Sequence, residues 1–185
     1  VERISALRKQ MAIDLGIVIP PVHIRDNLGI PPNSYRILLL GTEIGHGSLP
    51  QNRLLAIDPS ETAPHIDGEA TVDPAFGTPA RWIATRDKEL AGALGYTVVD
   101  HTTVIATHGA ELVRSHAHHI LGRAELQHLL DVFGKQCPKR FEELVPNLLS
   151  FSDVLKVMRN LLREGVSVRD LRTILDGLTE LAGST

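Results

Sequence analysis

Apolar residues recur at helical spacing from Glu2 to Leu15, where Ile4, Leu7, Met11 and Leu15 share one stripe and Gly16 is placed to end the helix. The period then changes. Ile17 to Ile19, a Pro20-Pro21 break and Val22-His23-Ile24 predict an extended segment with an edge or bulge at the prolines. After a turn over Gly29 to Asn33, the run Tyr35 to Leu40 predicts a strand apolar enough to be buried on both faces. The glycines of Gly41 to Gly47 follow that strand, but no Gly-Lys-Ser/Thr ending and no Gly-x-Gly-x-x-Gly opening a helix accompanies them. They predict a hairpin or bulged turn in place of a phosphate loop.

Leu54 to Ile57 predicts a short strand ended by Asp58-Pro59, Glu61 to Gly68 a polar linker, and Glu69 to Val72 a further extended segment. Thr85 can cap a helix from about Arg86 to Leu94, stopped by Gly95, and Tyr96 to Val99 predicts another strand. The order strand, strand, helix, strand between about Asn52 and Asp100 is a small α+β unit inserted into the chain. Asp100 caps a long helix predicted from Thr102 to Leu121. Beyond Arg123 only helical stripes occur: Leu126, Leu129, Leu130 and Phe133; Phe141, Leu144 and Val145; Val154, Val157, Leu161 and Leu162, stopped by Gly165. Ser167 is placed to cap a last helix carrying Val168, Leu171, Ile174, Leu175 and Leu178. The pattern is an α+β chain whose last third is all-α.

Between the extended segment and the Thr85 helix lies Thr71 to Trp82, with two prolines, a glycine and two aromatics. Pro74 and Pro79 fix their own φ near about −65° and push Asp73 and Thr78 toward extended geometry, while Gly77 opens a backbone direction other residues resist. The turn is stiff, so it aims Asp73 and Phe76. Trp82 is expected to seal a core and Phe76 to offer an apolar contact.

Composition narrows the function classes. The net charge of −3, from 19 basic and 22 acidic residues, gives no general attraction to nucleic acid or anionic lipid. The single cysteine, Cys137, cannot form an internal disulfide and reads as a helix-end residue before Pro138. No apolar run approaches the roughly 20 residues that cross a bilayer. Opening on Val1 instead of Met predicts an excised or processed piece whose parent can still carry a membrane span.

Candidate chemistry is sparse. His116, His118 and His119 cluster on the predicted long helix, with His116 and His119 neighbours at i,i+3 and His118 pointing elsewhere, but no Cys-x-x-Cys or His-Glu-x-x-His accompanies them. A solvated helix face is the reading, with no metal and no cofactor. Asp73 with His108, and Glu142 with Glu143, can be drawn as acid/base pairs, yet no nucleophile motif or charge stabiliser joins them, so no enzyme is expected. Val154 to Arg163, the turn Glu164 to Ser167, and Val168 to Leu178 match a helix-turn-helix outline. Lys156, Arg159, Arg163, Arg169 and Arg172 are balanced there by Asp153, Glu164, Asp170, Asp176 and Glu180, so the surplus of positive charge that drives DNA binding is lacking. Two helices packed in a bundle explain the same pattern.

Several phrases carry a resemblance over nearly the whole chain: Met11 to Asp26 (MAIDLGIVIPPVHIRD), Leu55-Ala-Ile-Asp-Pro59, Asp73-Pro-Ala-Phe-Gly77, Gly95-Tyr-Thr-Val-Val-Asp100, Ala106-Thr-His108, Glu142-Glu-Leu-Val-Pro146, Asn160-Leu-Leu-Arg-Glu-Gly165 and Arg169 to Leu175 (RDLRTIL). The sequence resembles the cytoplasmic portion of the type III secretion export-gate family, most closely its flagellar branch; the virulence-injectisome branch is the alternative. The resemblance implies a split thioredoxin-like subdomain over residues 1–51 and 101–120, an inserted ferredoxin-like α+β unit over 52–100, and a helical subdomain over 121–185. It also implies an N-terminal membrane part and a final subdomain outside this chain, a homo-oligomeric ring, nonameric in the family, and a place at the cytoplasmic face of the bacterial inner membrane. The implied partners are flagellar export chaperone-substrate complexes and other export-apparatus proteins. The motif residues carry over onto Asp73, Phe76 and Thr107 as the chaperone-binding set. Gly109 stands where the family usually has a larger apolar residue, which places a helix penalty of about 1 kcal/mol beside that set.

Overall fold

The computed structural model describes residues 2–136 and 149–182. The chain divides into two compact units, one of Val1–Val22 with Val113–Thr185 and the other of His23–Leu112. Cys137, Glu142, Glu143 and the Phe141, Leu144, Val145 stripe lie outside the described residues.

In the unit His23–Leu112, alternating apolar residues build a two-faced sheet. Strands β1 (Ser34–Leu39) and β2 (Thr42–Ser48) pair as a hairpin, while β3 (Arg53–Ile57), β4 (Glu69–Val72), β5 (Pro79–Ala84) and β6 (Thr97–Val99) form an antiparallel sheet of order β4-β5-β3-β6. The register runs from Arg53↔Ala84 to Ile57↔Ala80 between β3 and β5, from Leu55↔Val99 to Ile57↔Thr97 between β3 and β6, and from Glu69↔Trp82 to Val72↔Pro79 between β4 and β5. Successive side chains on a strand point to opposite faces. Ala56 and Ile83 therefore pack with Ile66, Tyr96 and Ala91 of helix α2 (Lys88–Ala93), whereas Leu55, Ala80 and Trp82 pack with Val104 of helix α3 (His101–Ser115). Trp82 is 5% exposed and seals this second core, as its place in the sequence suggests. Burial of that kind stabilises by about 1.5–3 kcal/mol per large apolar side chain.

Strand β5 is absent from the sequence expectation, which ran the stiff turn straight into a helix. Pro79 hides it, although the first position of a strand is where proline is tolerated. Its carbonyl accepts from the Asp58 amide at 3.0 Å, so the proline still contributes to the ladder's end. Thr85 does not cap α2. Its hydroxyl donates to the Asn52 carbonyl at 3.2 Å, and a 3-10 turn over Thr85–Asp87 precedes the helix.

The hairpin corrects two further expectations. Leu40 and Gly41 make the two-residue loop, with φ of 50° and 84°. Both are positive, as a type I′ turn requires. The remaining glycines, Gly45 and Gly47, lie inside β2 and not in the turn. Strand β1 is not buried on both faces: Tyr35, Ile37 and Leu39 are half-buried, and Arg36 and Leu38 are exposed. A two-stranded ribbon leaves one face to solvent, so its apolar run overstated its burial.

In the other unit, α1 (Glu2–Leu15) ends at Gly16, whose φ is 77°. Met11 and Leu15 are buried. The following segment alternates Ile17 and Ile19 inward with Val18 outward, without pairing as a strand, and the Arg8 guanidinium donates to the Ile19 carbonyl at 2.8 Å. The predicted long helix breaks at His116 into α3 and α4 (Ala117–Ile120), and α4 packs on α6 (Phe151–Arg163). Helix α5 (Arg123–Gln136) buries Leu126, Leu130 and Phe133 as its stripe predicts. On α6 the buried face is Val154, Leu155, Met158 and Leu162, rotated from the expected stripe because Val157 and Leu161 are only half-buried. Helix α7 spans Leu171–Ala182. Asp170, not Ser167, is its cap: the Asp170 carboxylate accepts from the Thr173 amide at 3.1 Å and its hydroxyl at 2.7 Å. Val168 is buried ahead of the helix, and its amide donates to the Leu15 carbonyl at 2.9 Å.

Candidate functional site

The segment joining β4 to β5 is rigid for a reason visible atom by atom. The Asp73 amide donates to the Thr78 carbonyl and the Gly77 amide to the Asp73 carbonyl, both at 2.8 Å. The Asp73 carboxylate accepts from the amides of Ala75 at 3.4 Å and Phe76 at 3.1 Å. Gly77 supplies the positive φ, 70°, that the turn needs. Asp73 is thereby 3% exposed, whereas the Phe76 ring it supports is 67% exposed. Val72, the last residue of edge strand β4, is 58% exposed. The turn presents apolar surface outward on a backbone held by a buried carboxylate.

Thr107 is half-buried on α3, and its hydroxyl makes no hydrogen bond among the described residues. Asp73 and Thr107 share no hydrogen bond either; the electrostatic link runs from Asp73 to His108, the neighbour of Thr107. Helix α3 itself is aligned by its cap, the Asp100 carboxylate accepting from the Thr103 amide at 2.7 Å, as expected from sequence. A Cβ at Gly109 would meet nothing within 4 Å, and its φ lies in the ordinary helical range. Gly109→Ala is therefore expected to raise stability by about 0.5–1 kcal/mol, read as a melting temperature roughly 2–4 °C higher.

Beneath this region sits a pair that sequence reasoning did not assemble. The Tyr35 hydroxyl lies 2.8 Å from His108 Nδ1, and the two rings meet edge-on at 5.8 Å. The glycines of β2 make the space: a Cβ on Gly47 would stand 2.6 Å from the Tyr35 hydroxyl, and one on Gly45 would stand 3.1 Å from His108 Nε2 and collide with Leu112. Two glycines at i,i+2 within a strand were the available signal, since such glycines mark a close approach of another element. Along α3 the same inward face carries His101, edge-on to Trp82 at 5.6 Å, then Val104, His108 and Leu112.

Burial pushes the Tyr35 phenol up to about 12, with the Asp73 charge adding to the shift. Burial holds the His108 imidazole below its ordinary value; the Asp73 carboxylate opposes that shift and His46 reinforces it. For His108 the unfolded chain binds a proton that the folded one refuses, so its contribution is present above the ordinary imidazole value and is lost as pH falls below it. For Tyr35 the folded state keeps a proton that the unfolded one releases. That contribution is complete below the ordinary phenol value and is lost as pH rises through about 12. Melting temperatures across a pH series should therefore peak between neutrality and about pH 10. Tyr35→Phe is expected to flatten the alkaline arm and His108→Gln the acid arm.

The histidine cluster is closer-packed than its helical spacing suggested. His118 and His119 rings lie 4.1 Å apart and His116 and His119 6.2 Å apart, so His118 packs against its neighbour instead of pointing away. Burial, His119, Arg163 and His116 together hold the His118 imidazole below its ordinary value. Among the described residues no group of three or more His, Cys, Asp or Glu side chains is arranged to hold a metal ion. No helix among them is long and apolar enough to cross a membrane.

Comparison with known proteins places this geometry. The chain is 48% identical to the flagellar biosynthesis protein FlhA of Escherichia coli over 97% of its length and 44% identical to that of Bacillus subtilis, also over 97%. It spans about a quarter, 26%, of the length of each. Among solved structures, the Chlamydia pneumoniae CdsV protein superposes over the whole chain and 58% of its own length, with a TM-score of 0.86 at 22% identity. The nonameric EPEC SctV-C superposes over the whole chain and 56% of its own, with a TM-score of 0.75 at 21% identity. At such identities these likenesses establish the fold, the mixed helix-and-sheet architecture of export-gate cytoplasmic domains. The FHIPEP family matches every position from 1 to 185, and the chain belongs to that family.

Proposed function

We propose that this chain is part of the cytoplasmic docking platform of a flagellar type III protein export gate, a non-catalytic surface that binds export chaperone-substrate complexes and passes substrates toward a membrane channel. The observation that carries the reading is the exposed Phe76 ring on a turn fixed by a buried carboxylate. An exposed aromatic on a rigid support loses little entropy when covered, which suits a contact that must form and release. In this reading Phe76 is the contact, the Thr107 hydroxyl, which makes no hydrogen bond among the described residues, is a second polar contact, and Asp73 serves by holding the turn.

The flagellar assignment is favoured over the injectisome branch by identities of 48% and 44% to flagellar FlhA proteins, against 22% to CdsV. The subdomain scheme, residues 1–51 with 101–120, then 52–100, then 121–185, draws support from the separate four-stranded sheet that β3 to β6 form between the hairpin and α3. Assembly into a ring draws support from the nonameric SctV-C and EscV relatives, and contact with other export-apparatus proteins from the CdsV and CdsO complex. Attachment to the inner membrane would come through the part of the parent protein outside this chain. Titration calorimetry of the chain with purified flagellar export chaperone-substrate complexes from the same bacterium tests the reading. Saturable binding that Phe76→Ala weakens supports it, and binding indifferent to Phe76 overturns it.

A further inference from the structure

We propose that strand β4 is an open sheet edge that takes up an extended segment of the export substrate as a further strand, with an apolar side chain beside Val72 and a carboxylate beside Ala70. That the incoming chain is an export substrate rests on the docking reading above. The open edge is a property of the chain itself.

Strand β4 pairs with β5 alone and ends the order β4-β5-β3-β6. Two bonds fix the direction of its backbone groups. The Asp73 amide donates to the Thr78 carbonyl, so Asp73 faces the β5 side, and successive residues of an antiparallel strand face alternate sides. The Asp58 amide donates to the Pro79 carbonyl, so Pro79 faces β3 and turns no group toward Val72, its partner on β4. Ala70 and Val72 therefore point their N–H and C=O groups away from β5, and among the described residues nothing bonds to them there. Proteins commonly blunt such an edge with lysine, proline or a bulge. Residues Glu69 to Val72 include none of these, and both Ala70 and Val72 are exposed. The occupant that fits is an extended chain, because donor and acceptor pairs repeat at every second residue of a strand, whereas a helix uses its backbone groups internally. A substrate passed toward a membrane channel offers unpaired, extended backbone, which a folded chaperone does not.

Side chains select the segment. Ala70 and Val72 lie on the same face of the sheet as Arg81, which stands directly across from Ala70. The Arg81 guanidinium reaches the line of β4, donating to the Gly68 carbonyl at 3.0 Å, while its Nε is buried without a hydrogen-bond partner. Among the described residues it has no carboxylate partner. A carboxylate arriving beside Ala70, whose methyl group leaves room, supplies the missing counter-charge. Glu69 lies on the opposite face, so it disfavours an acidic residue at the neighbouring position and not at this one. Val72 is the apolar neighbour, and it leads along the chain into the turn that carries Phe76.

The test is amide hydrogen exchange of the intact chain, followed by NMR, in three samples: the chain alone, with a purified flagellar chaperone-substrate complex, and with the chaperone alone. In the free chain Ala70 and Val72 are expected to exchange faster than Thr71, which faces β5. With free complex at about ten times its dissociation constant, the Ala70 and Val72 amides should slow about tenfold. With the chaperone alone they should not. Ala70→Pro removes one outward donor without touching the β5 ladder, a placement proline tolerates at a sheet edge. It should weaken binding of the complex about tenfold while moving the melt by no more than roughly 2 °C. Arg81→Gln should weaken binding about threefold to tenfold at low salt, by a margin that shrinks as salt is raised. Unslowed Ala70 and Val72 amides in a complex whose binding Phe76→Ala weakens overturn the edge and leave the docking reading standing. Equal slowing by the chaperone alone overturns the assignment to the substrate. Slowed amides with binding indifferent to Phe76 keep the edge and remove the docking reading, and a chain that binds no complex loses both. The exchange measurement decides these outcomes on the parent chain, whether or not Ala70→Pro folds.

Discussion

Phe76→Ala is expected to weaken binding of chaperone-substrate complexes by about tenfold to a hundredfold while leaving the thermal melt nearly in place. A phenyl ring fully covered by a partner contributes roughly 1.5–3 kcal/mol, and each 1.4 kcal/mol is a factor of ten in the dissociation constant. In the free chain the same ring is 67% exposed, so deleting it removes little packing. Surface changes of that kind stay within about 0.5 kcal/mol, which for a chain of this size is roughly 2 °C. The split between a large change in affinity and a small one in stability is what a contact residue produces. Calorimetry and a circular-dichroism melt on the same preparation measure both, and equal affinities for the two proteins would end the docking account. Asp73 is the poorer probe. Its carboxylate caps two amides from a position 3% exposed, so removing it unpairs them and disturbs the turn as well as any contact.

Gly16→Ala is expected to destabilise the chain by about 2–5 kcal/mol, lowering the melt by roughly 4–20 °C. Two costs add. The residue's φ of 77° is one that a side chain resists, at about 1–2 kcal/mol. A Cβ there would also overlap the backbone of Arg169, with the Val168 carbonyl carbon only 2.8 Å away. The obstruction is main chain, tied in place by the bond from the Val168 amide to the Leu15 carbonyl, and cannot turn aside as a flexible side chain would. The same substitution at Gly109, which faces open space in an ordinary helical conformation, has the opposite sign. A melt for Gly16→Ala within 2 °C of the parent would show that the α1 terminus and the 168–169 segment are not in contact in solution.

Much of this was legible because local chemistry fixed it. Helix α1 with its Gly16 stop, the Asp100 cap of α3 and the α5 stripe each follow from a side chain acting on backbone within about four residues. The Asp73-Pro-Ala-Phe-Gly turn was readable for the same reason: prolines and a glycine restrict φ before any tertiary contact forms. Strand β5 was not, because its apolar run begins at a proline and its identity comes from the β3 and β4 partners on either side. The break at His116 has no glycine or proline to announce it and coincides with α4 packing on α6. Ser167 and Asp170 were both chemically able to cap α7, and burial of Val168 ahead of the helix left the task to Asp170.

The sequence by itself determined the elements with strong local signals, the stiffness of the turn under Phe76 and, through motifs spread over the whole length, the family. Only the tertiary structure decided that Asp73 is sealed while Phe76 faces outward, and that Tyr35 and His108 meet over Gly45 and Gly47. Backbone restriction acts between near neighbours and is written in residue type. Which side chain is shut away from water depends on strands and helices from distant parts of the chain arriving at the same place, and no short stretch of sequence encodes that.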